Sequence, residues 1–280
     1  MLMPPEKLVI IDYCGTLSLA APRFGRPDHL TRALDGSGLA ALGVSTPEIF
    51  WEKIVDPTWI EGSTTSIGYA KVMAGRIASL DLAPGAPTAA IESAACRFVD
   101  LYLAASRIDP HWRPALTGLS GHPAAVTAVS TDHYAEATGM IIGYLDSWGI
   151  PARRSGRGKP SASPPASGFL VANSADLGAL KESRRFWEIL KSQLPPSSVR
   201  RILLIDDFGS NEAPGDSYGA HAQVTTRREK VIANIDQTFQ AAVDVVPFEL
   251  HGPHWGSEEA GAALIDETAA VIGAFLERRA

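Results

Sequence analysis

Long apolar runs are missing from this sequence. No stretch approaches the roughly 20 consecutive apolar residues needed to cross a bilayer, so no transmembrane helix is expected. The segment MLMPPEKLVIID at the N-terminus lacks a basic region followed by a long apolar core, and no signal peptide is expected there. Cysteine is scarce: Cys14 and Cys96 are the only two in 280 residues. Two thiols so far apart do not make a disulfide framework, and a reducing, cytoplasmic setting suits them. Excess positive charge is absent as well. A formal net charge of −6 gives no electrostatic reason to bind nucleic acid or an anionic membrane surface. Grouped Cys/His ligands are lacking too. His251 and His254, in HGPHW, have no second pair beside them, and read as loop or helix entry rather than as a metal site.

What is present is the composition of a globular α/β protein, with 45% apolar and 20% charged residues. Five short runs read as buried strands: Leu8–Ile11, Ala125–Val129, Phe169–Ala172, Ile202–Ile205 and Val243–Val246. They are continuous rather than alternating, as in a parallel sheet covered on both faces. Helical periodicity separates them, over Tyr134–Trp148, Glu182–Leu194, Lys230–Ala242 and Glu258–Arg278. This alternation predicts a doubly wound, Rossmann-like parallel sheet. It is broken once, by about a hundred residues between the first and second strands that carry no strand pattern. Candidate helices there run near Asp28–Leu42, Pro47–Val55, Ser66–Leu80 and Ala86–Ser106, with Thr46, Pro47 and Glu48 forming an N-terminal signature. An all-helical cap over residues 20–108 is therefore expected, inserted into an α/β core of residues 1–19 and 109–280. The polar, glycine-containing stretch Thr58–Ser66 could face the core, and Trp51 and Trp59 read as cap packing with a pocket-lining role left open. The Gly/Pro/Ser-rich segment Arg153–Gly168 reads as a surface loop.

In open α/β sheets, ligands bind beyond the carboxyl ends of the strands. Asp12 follows the first strand; Ser130, Thr131 and Asp132 follow the second; Asp206 and Asp207 follow the fourth. Any one of these acids could be a helix cap or a loop residue. Converging on one edge they would repel each other unless a cation sat among them, and carboxylates with waters and a phosphate oxygen suit Mg²⁺.

These stretches resemble the haloacid dehalogenase-like (HAD-like) hydrolase superfamily. VIIDYCGTL resembles its first motif, a strand followed by DxxGT, and AVS, ending at Ser130, its second. The stretch FLVANSADLGALKESRRFWEIL is similar to the region of its third, and ILLIDDFGSNE to its acidic fourth. Two lysines compete for the third motif. Lys181, taken to open a helix, lies 25 residues before Asp206; Lys159 lies 47 before it, and the spacing favours Lys181, leaving Lys159 as a loop charge. The resemblance implies Asp12 as nucleophile in an aspartyl-phosphate mechanism, with Ser130 and Lys181 as further catalytic groups. It implies Mg²⁺ held by Asp12, the backbone carbonyl of Cys14 and the Asp206/Asp207 pair. Ser130, Thr131, Lys181 and Asn211 would contact a small phosphorylated substrate, Asn211 with a metal contact as an alternative.

One position departs from that pattern. Cys14 stands where the family's phosphatases usually carry a second aspartate, the acid that protonates the leaving oxygen. A thiol with an ordinary pKa near 8.5 is a poor substitute. Three branches of the family also lack this acid: dehalogenases, phosphonatases that use a cap lysine, and transport ATPases, which the lack of membrane spans excludes. Lys53 and Lys71 are the cap lysines available to a phosphonatase. The expected function is a Mg²⁺-dependent HAD-like phosphohydrolase. The alternatives are a catalytically impaired phosphate-binding protein and a phosphonatase- or dehalogenase-type hydrolase. His133 reads either as a substrate contact and surrogate acid or as a surface residue at a helix start.

Overall fold

A computed structural model describes residues 5–156, 168–194, 199–212, 219, 221–250 and 257–278. Its strands are β1 (Lys7–Asp12), β2 (Ala125–Thr131), β3 (Ala152–Arg154), β4 (Phe169–Asn173), β5 (Arg201–Asp206) and β6 (Ala242–Pro247). They form one sheet in the order β3-β4-β2-β1-β5-β6, and every neighbouring pair is parallel. From central β1 the chain builds one side through β2, β3 and β4, then returns to build the other through β5 and β6. The reversal leaves a crevice at the carboxyl ends of the central strands, the place where doubly wound sheets bind ligands.

The unbroken apolar spelling of the strands follows from burial on two faces. In β1, Val9 and Ile11 join Val129, Leu203 and Ile205 in a core closed by Trp112, Ile141 and Ile265. Leu8 and Ile10 point the other way, to Ile202, Leu204, Phe186, Trp187 and Val231. Five of the six strands match the expected runs. β3 was not among them, because ARR at a sheet edge has no apolar signature; it pairs with β4, and its arginines reach the Gln193 carbonyl and Asp176. The helix expected from Lys230 spans His221–Phe239, so its polar first turns are helical as well. Lys181 does not open a helix: it sits in the turn that precedes the helix Arg184–Ser192. Lys159, His251 and His254 lie outside the described residues. No helix among the described residues is long and apolar enough to cross a membrane.

Between β1 and β2 the chain forms helices Pro27–Ser37, Pro47–Ile49, Asp56–Thr64, Tyr69–Leu80 and Thr88–Ala105 around their own apolar centre, including Leu34, Phe50, Ile54, Met73 and Phe98. Thr46 caps its helix, its hydroxyl accepting from the Ile49 N–H at 3.3 Å. A π-turn over Phe50–Val55 leads into Asp56–Thr64, a helix the sequence disguises with Pro57, Gly62 and a run of hydroxyls. Those hydroxyls bond back along the helix, Thr58 to the Ile54 carbonyl and Ser63 to the Trp59 carbonyl, each at 2.6 Å. The block docks on the core at several points, two of them on the segment after β2. Both oxygens of Glu136 accept from the Tyr69 N–H, at 2.8 and 3.0 Å, placing a carboxylate at a helix N-terminus. Gly62 presses on Tyr134, where a Cβ would lie 2.3 Å from Cε1.

The chain re-enters the core at Trp112, which is fully buried. Its Nε1 donates to the Thr16 carbonyl at 3.1 Å and its ring packs on Phe248. Trp112→Ala is expected to cost about 3–5 kcal/mol through the cavity it opens and the carbonyl it strands. The shift in the urea midpoint at unchanged m-value measures that loss.

Candidate active site

The site begins with the turn after β1. The N–H of Leu17 donates to the Asp12 carbonyl at 3.2 Å and that of Ser18 to the Tyr13 carbonyl at 2.8 Å, folding DYCGTLS back on itself. Gly15 has φ +82°, and a Cβ there would lie 2.3 Å from Asp207 Oδ2. Only glycine both adopts that conformation readily and lets the Asp207 carboxylate come against this loop. Thr16 completes the contact, its hydroxyl accepting from the Asp207 N–H at 3.2 Å. After β5, Phe208 takes a left-handed φ of +53°, and its N–H donates to Asp206 Oδ1 at 2.7 Å. Strained backbone of this kind gathers where side chains must be held in place.

The carboxylates of Asp12, Asp206 and Asp207 converge, with one oxygen from each lying within 4.8 Å of the others. All are buried. Lys181 reaches between two of them: its Nζ is 2.7 Å from Asp12 Oδ1 and 2.8 Å from Asp206 Oδ2. The Lys181 backbone is fixed at both ends. Its N–H donates to Asp132 Oδ1 at 2.9 Å and its carbonyl accepts from Trp187 Nε1 at 2.7 Å. Burial lifts Asp12 well above the usual carboxylate range against the pull of Lys181, and Asp206 and Asp207 lift it further. Burial, then Glu212 and Asp206, pushes Asp207 up to about 8. Burial raises Asp132 to about 6, with Lys181 and Arg227 holding it back. One ammonium among three carboxylates leaves the cluster short of positive charge. Asp12 Oδ2 is buried without a hydrogen-bond partner. An all-oxygen donor set with surplus negative charge fits a hard divalent ion such as Mg²⁺.

The other expected residues separate into two groups. Ser130 pairs with Asp12 across β1 and β2. Its hydroxyl and that of Thr131 are buried without partners, and Thr131, not Ser130, lines the cavity beside Asp12. Asn211, expected to contact substrate or metal, is instead a strut. Its Nδ2 donates to the Gly15 and Phe248 carbonyls at 2.8 and 2.7 Å, while its Oδ1 accepts from the Leu250 N–H at 2.9 Å. An amide so occupied has little left to offer a ligand. His133 lines the cavity, but burial pushes it down to about 4, so it is neutral near pH 7. Its Nδ1 accepts from the Tyr134 N–H, so Nε2 carries the proton and donates to Tyr102 Oη, each at 2.8 Å. That is not a surrogate acid. Lys53 and Lys71, the block's two lysines, are exposed and do not line the cavity.

Cys14 is half-buried in the cavity wall. Desolvation, then Glu212, Asp12 and Asp207, pushes its thiol well above its ordinary range, so it stays protonated and is a weak proton donor. Glu212 and Arg227 also line the cavity and were not anticipated. Arg227 is buried and donates to the Phe208 carbonyl at 2.6 Å. The acidic run DDFGSNE already held Glu212, whereas Arg227 fell ahead of the expected helix start. The cavity, of about 320 Å³, lies between the sheet edge and the helical block, and both Trp51 and Trp59 line it.

No family model and no curated protein matches the chain. Among solved structures it is similar to a 2-haloacid dehalogenase of Pseudomonas syringae pv. tomato, at 18% identity over 76% of this chain and 83% of that one, TM-score 0.45. It is similar to a predicted HAD-like family hydrolase of Porphyromonas gingivalis, at 12% identity over the whole of both chains, TM-score 0.44. It is also similar to the L-2-haloacid dehalogenase of Xanthobacter autotrophicus with chloropropionic acid covalently bound, at 12% identity over 99% and 90%, TM-score 0.44. Likeness at this level carries nothing about substrate or metal.

Lys181→Met leaves Asp12 and Asp206 buried without their cation, and is expected to cost about 3–5 kcal/mol at pH 7. Asp12, already raised by burial with Lys181 present, would then be neutral in the folded state but ionised once unfolded, so the folded state binds more protons. Stability of the variant should therefore recover as pH falls from 7 towards about 4, the unfolded carboxylate value. Denaturant titrations across that range, compared with the parent protein, measure the narrowing gap.

Proposed function

We propose that this chain is a Mg²⁺-dependent phosphohydrolase of HAD-like type, acting on a small phosphorylated molecule through Asp12. One observation carries the reading: the buried cluster of Asp12, Asp206 and Asp207 at the topological crevice, tied by Lys181 and opening on a cavity of about 320 Å³. Asp12, the Asp206/Asp207 pair and the Cys14 carbonyl would hold the ion, whose contribution when bound is to neutralise phosphoryl charge and so admit a carboxylate nucleophile.

The chain's own groups divide the remaining work. Lys181 pins Asp12 Oδ1, which leaves Oδ2 as the attacking oxygen. Attack forms an O–P bond on Asp12 and expels the leaving oxygen with its electron pair, giving an aspartyl-phosphate. Water then attacks phosphorus, releases phosphate and restores the carboxylate. The unpartnered hydroxyl of Thr131 on the cavity wall suits a transferring phosphoryl oxygen, and Lys181 offsets its charge. Cys14 contributes no strong acid, so the leaving group must depart with little protonation.

A second reading has one observation in its favour. The Lys181 ammonium already bridges Asp12 and Asp206, which suits a carboxylate that displaces halide without a divalent ion. The ester formed on Asp12 would then be hydrolysed by water.

Phosphate release from acetyl phosphate with Mg²⁺ is expected, and Asp12→Asn should abolish it; turnover surviving that change would remove Asp12 as the nucleophile. Cys14→Asp should raise hydrolysis of alkyl phosphates by about 10²-fold or more. Halide release from 2-haloacids in a chelator would replace this reading with the second. Mg²⁺-dependent phosphate binding without turnover of any donor would make the chain a binding protein.

A further inference from the structure

We infer that the substrate is a phosphomonoester of an aromatic alcohol, its ring seated among the aromatic side chains that the helical block presents to Asp12. This rests on the phosphohydrolase reading and names the substrate class of that same site.

The chemistry of the cavity wall comes first. Facing the carboxylates, the block contributes Phe24, Phe50, Trp51, Trp59, Phe98 and Tyr102. No lysine or arginine of the block lines the cavity, and Asp56 is its one charged group there. A sugar phosphate would bury several hydroxyls against these rings, each costing about 1–3 kcal/mol when left unpaired. A second phosphate would find no cation on the block, and the core's Arg227 already donates to the Phe208 carbonyl. An aromatic ring buries apolar surface and meets rings already spaced for edge and face contact.

The wall is also preformed. Tyr69 and Tyr134 stack at 3.7 Å between centroids with their planes 6° apart, and Trp59 stands edge-on to Tyr134 at 5.5 Å. Phe24 meets Tyr102 at 5.3 Å. Gly62 makes the room for Tyr134. Rings held by other rings lose little freedom on binding. The size agrees: a cavity of about 150 Å³ accepts benzene, so one of about 320 Å³ has room for a phosphoryl group and one or two rings.

Independently, Cys14 selects the same class. It places a thiol, not a carboxyl, on the turn beside Asp12. A phenol, with a pKa near 10, departs as a stable phenolate, whereas an alkoxide does not. Asp12 Oδ2 bonds to phosphorus, the P–O bond to the ring breaks, and the aryloxide takes the electron pair and later a proton from solvent. Water then cleaves the aspartyl-phosphate to inorganic phosphate. Water is the sole co-reactant.

The test uses the full chain with Mg²⁺ and three phosphoryl donors: 1-naphthyl phosphate, acetyl phosphate and a hexose 6-phosphate. In parallel, calorimetry measures binding of naphthylmethyl phosphonate and ethyl phosphonate. Naphthyl phosphate is expected to exceed the hexose phosphate in kcat/KM by about 10²–10⁴-fold, the usual worth of an acid. Acetyl phosphate also leaves without an acid, so it isolates the contribution of the ring. Trp59→Ala should lose about tenfold more kcat/KM towards naphthyl phosphate than towards acetyl phosphate, through KM. The naphthylmethyl phosphonate should bind at least about tenfold tighter than the ethyl one. Turnover of acetyl phosphate with equal affinity for the two phosphonates overturns the aromatic assignment and leaves the phosphohydrolase standing. Tight aryl phosphonate binding with no turnover of any donor overturns the enzyme and keeps the ligand class. Neither binding nor turnover overturns both.

Discussion

One ammonium group sits among more negative charge than it can balance, and the rest of the site is arranged around it. Lys181 touches Asp12 and Asp206 at hydrogen-bond distance while Asp207 stands within reach of both. A dry cluster of this kind is costly, and it holds only where the backbone leaves the side chains no alternative. That demand accounts for local features that otherwise look arbitrary. Gly15 gives up its Cβ to Asp207, Phe208 accepts a left-handed backbone, and Trp187 and Asp132 clamp the turn that carries Lys181. Asn211 ties the loop after β1 to the segment after β6, so the two walls of the crevice cannot drift apart.

The parallel sheet was readable because burial on both faces leaves a spelling that few other elements share. KLVIID and RILLID are apolar at every inner position and end in an acid at the edge where ligands bind. The same logic is silent about β3, whose arginines bind the Gln193 carbonyl and Asp176 rather than the core, and about Asp56–Thr64, whose hydroxyls are satisfied by the helix carbonyls one turn earlier. Carboxylates at strand ends were legible as a group, since mutual repulsion narrows what they can be doing. Asn211 was not, because an amide serves as well in a strut as in a ligand shell, and only its partners tell the two apart. His133 was ambiguous for a related reason: burial and two hydrogen bonds, neither visible in the sequence, decide its charge.

The departure at Cys14 and the aromatic wall belong to different parts of the chain, one on the turn after β1, the other on the helical block. They share a consequence. A thiol in place of a carboxyl favours departing groups that need little protonation, and a helical wall of rings with Asp56 as its one charged group favours groups that are flat and apolar. An aromatic ring joined to phosphate through oxygen satisfies both demands.

The stacked pair of tyrosines straddles a boundary. Tyr69 belongs to the inserted helices and Tyr134 to the strand-bearing core, and Glu136, two residues further along, caps the helix that Tyr69 begins. Neither ring alone makes a wall. Swinging the insert outward would uncap that helix, unstack the tyrosines and dissolve the seat in the same motion. The seat thus belongs to the docked arrangement and to neither part alone.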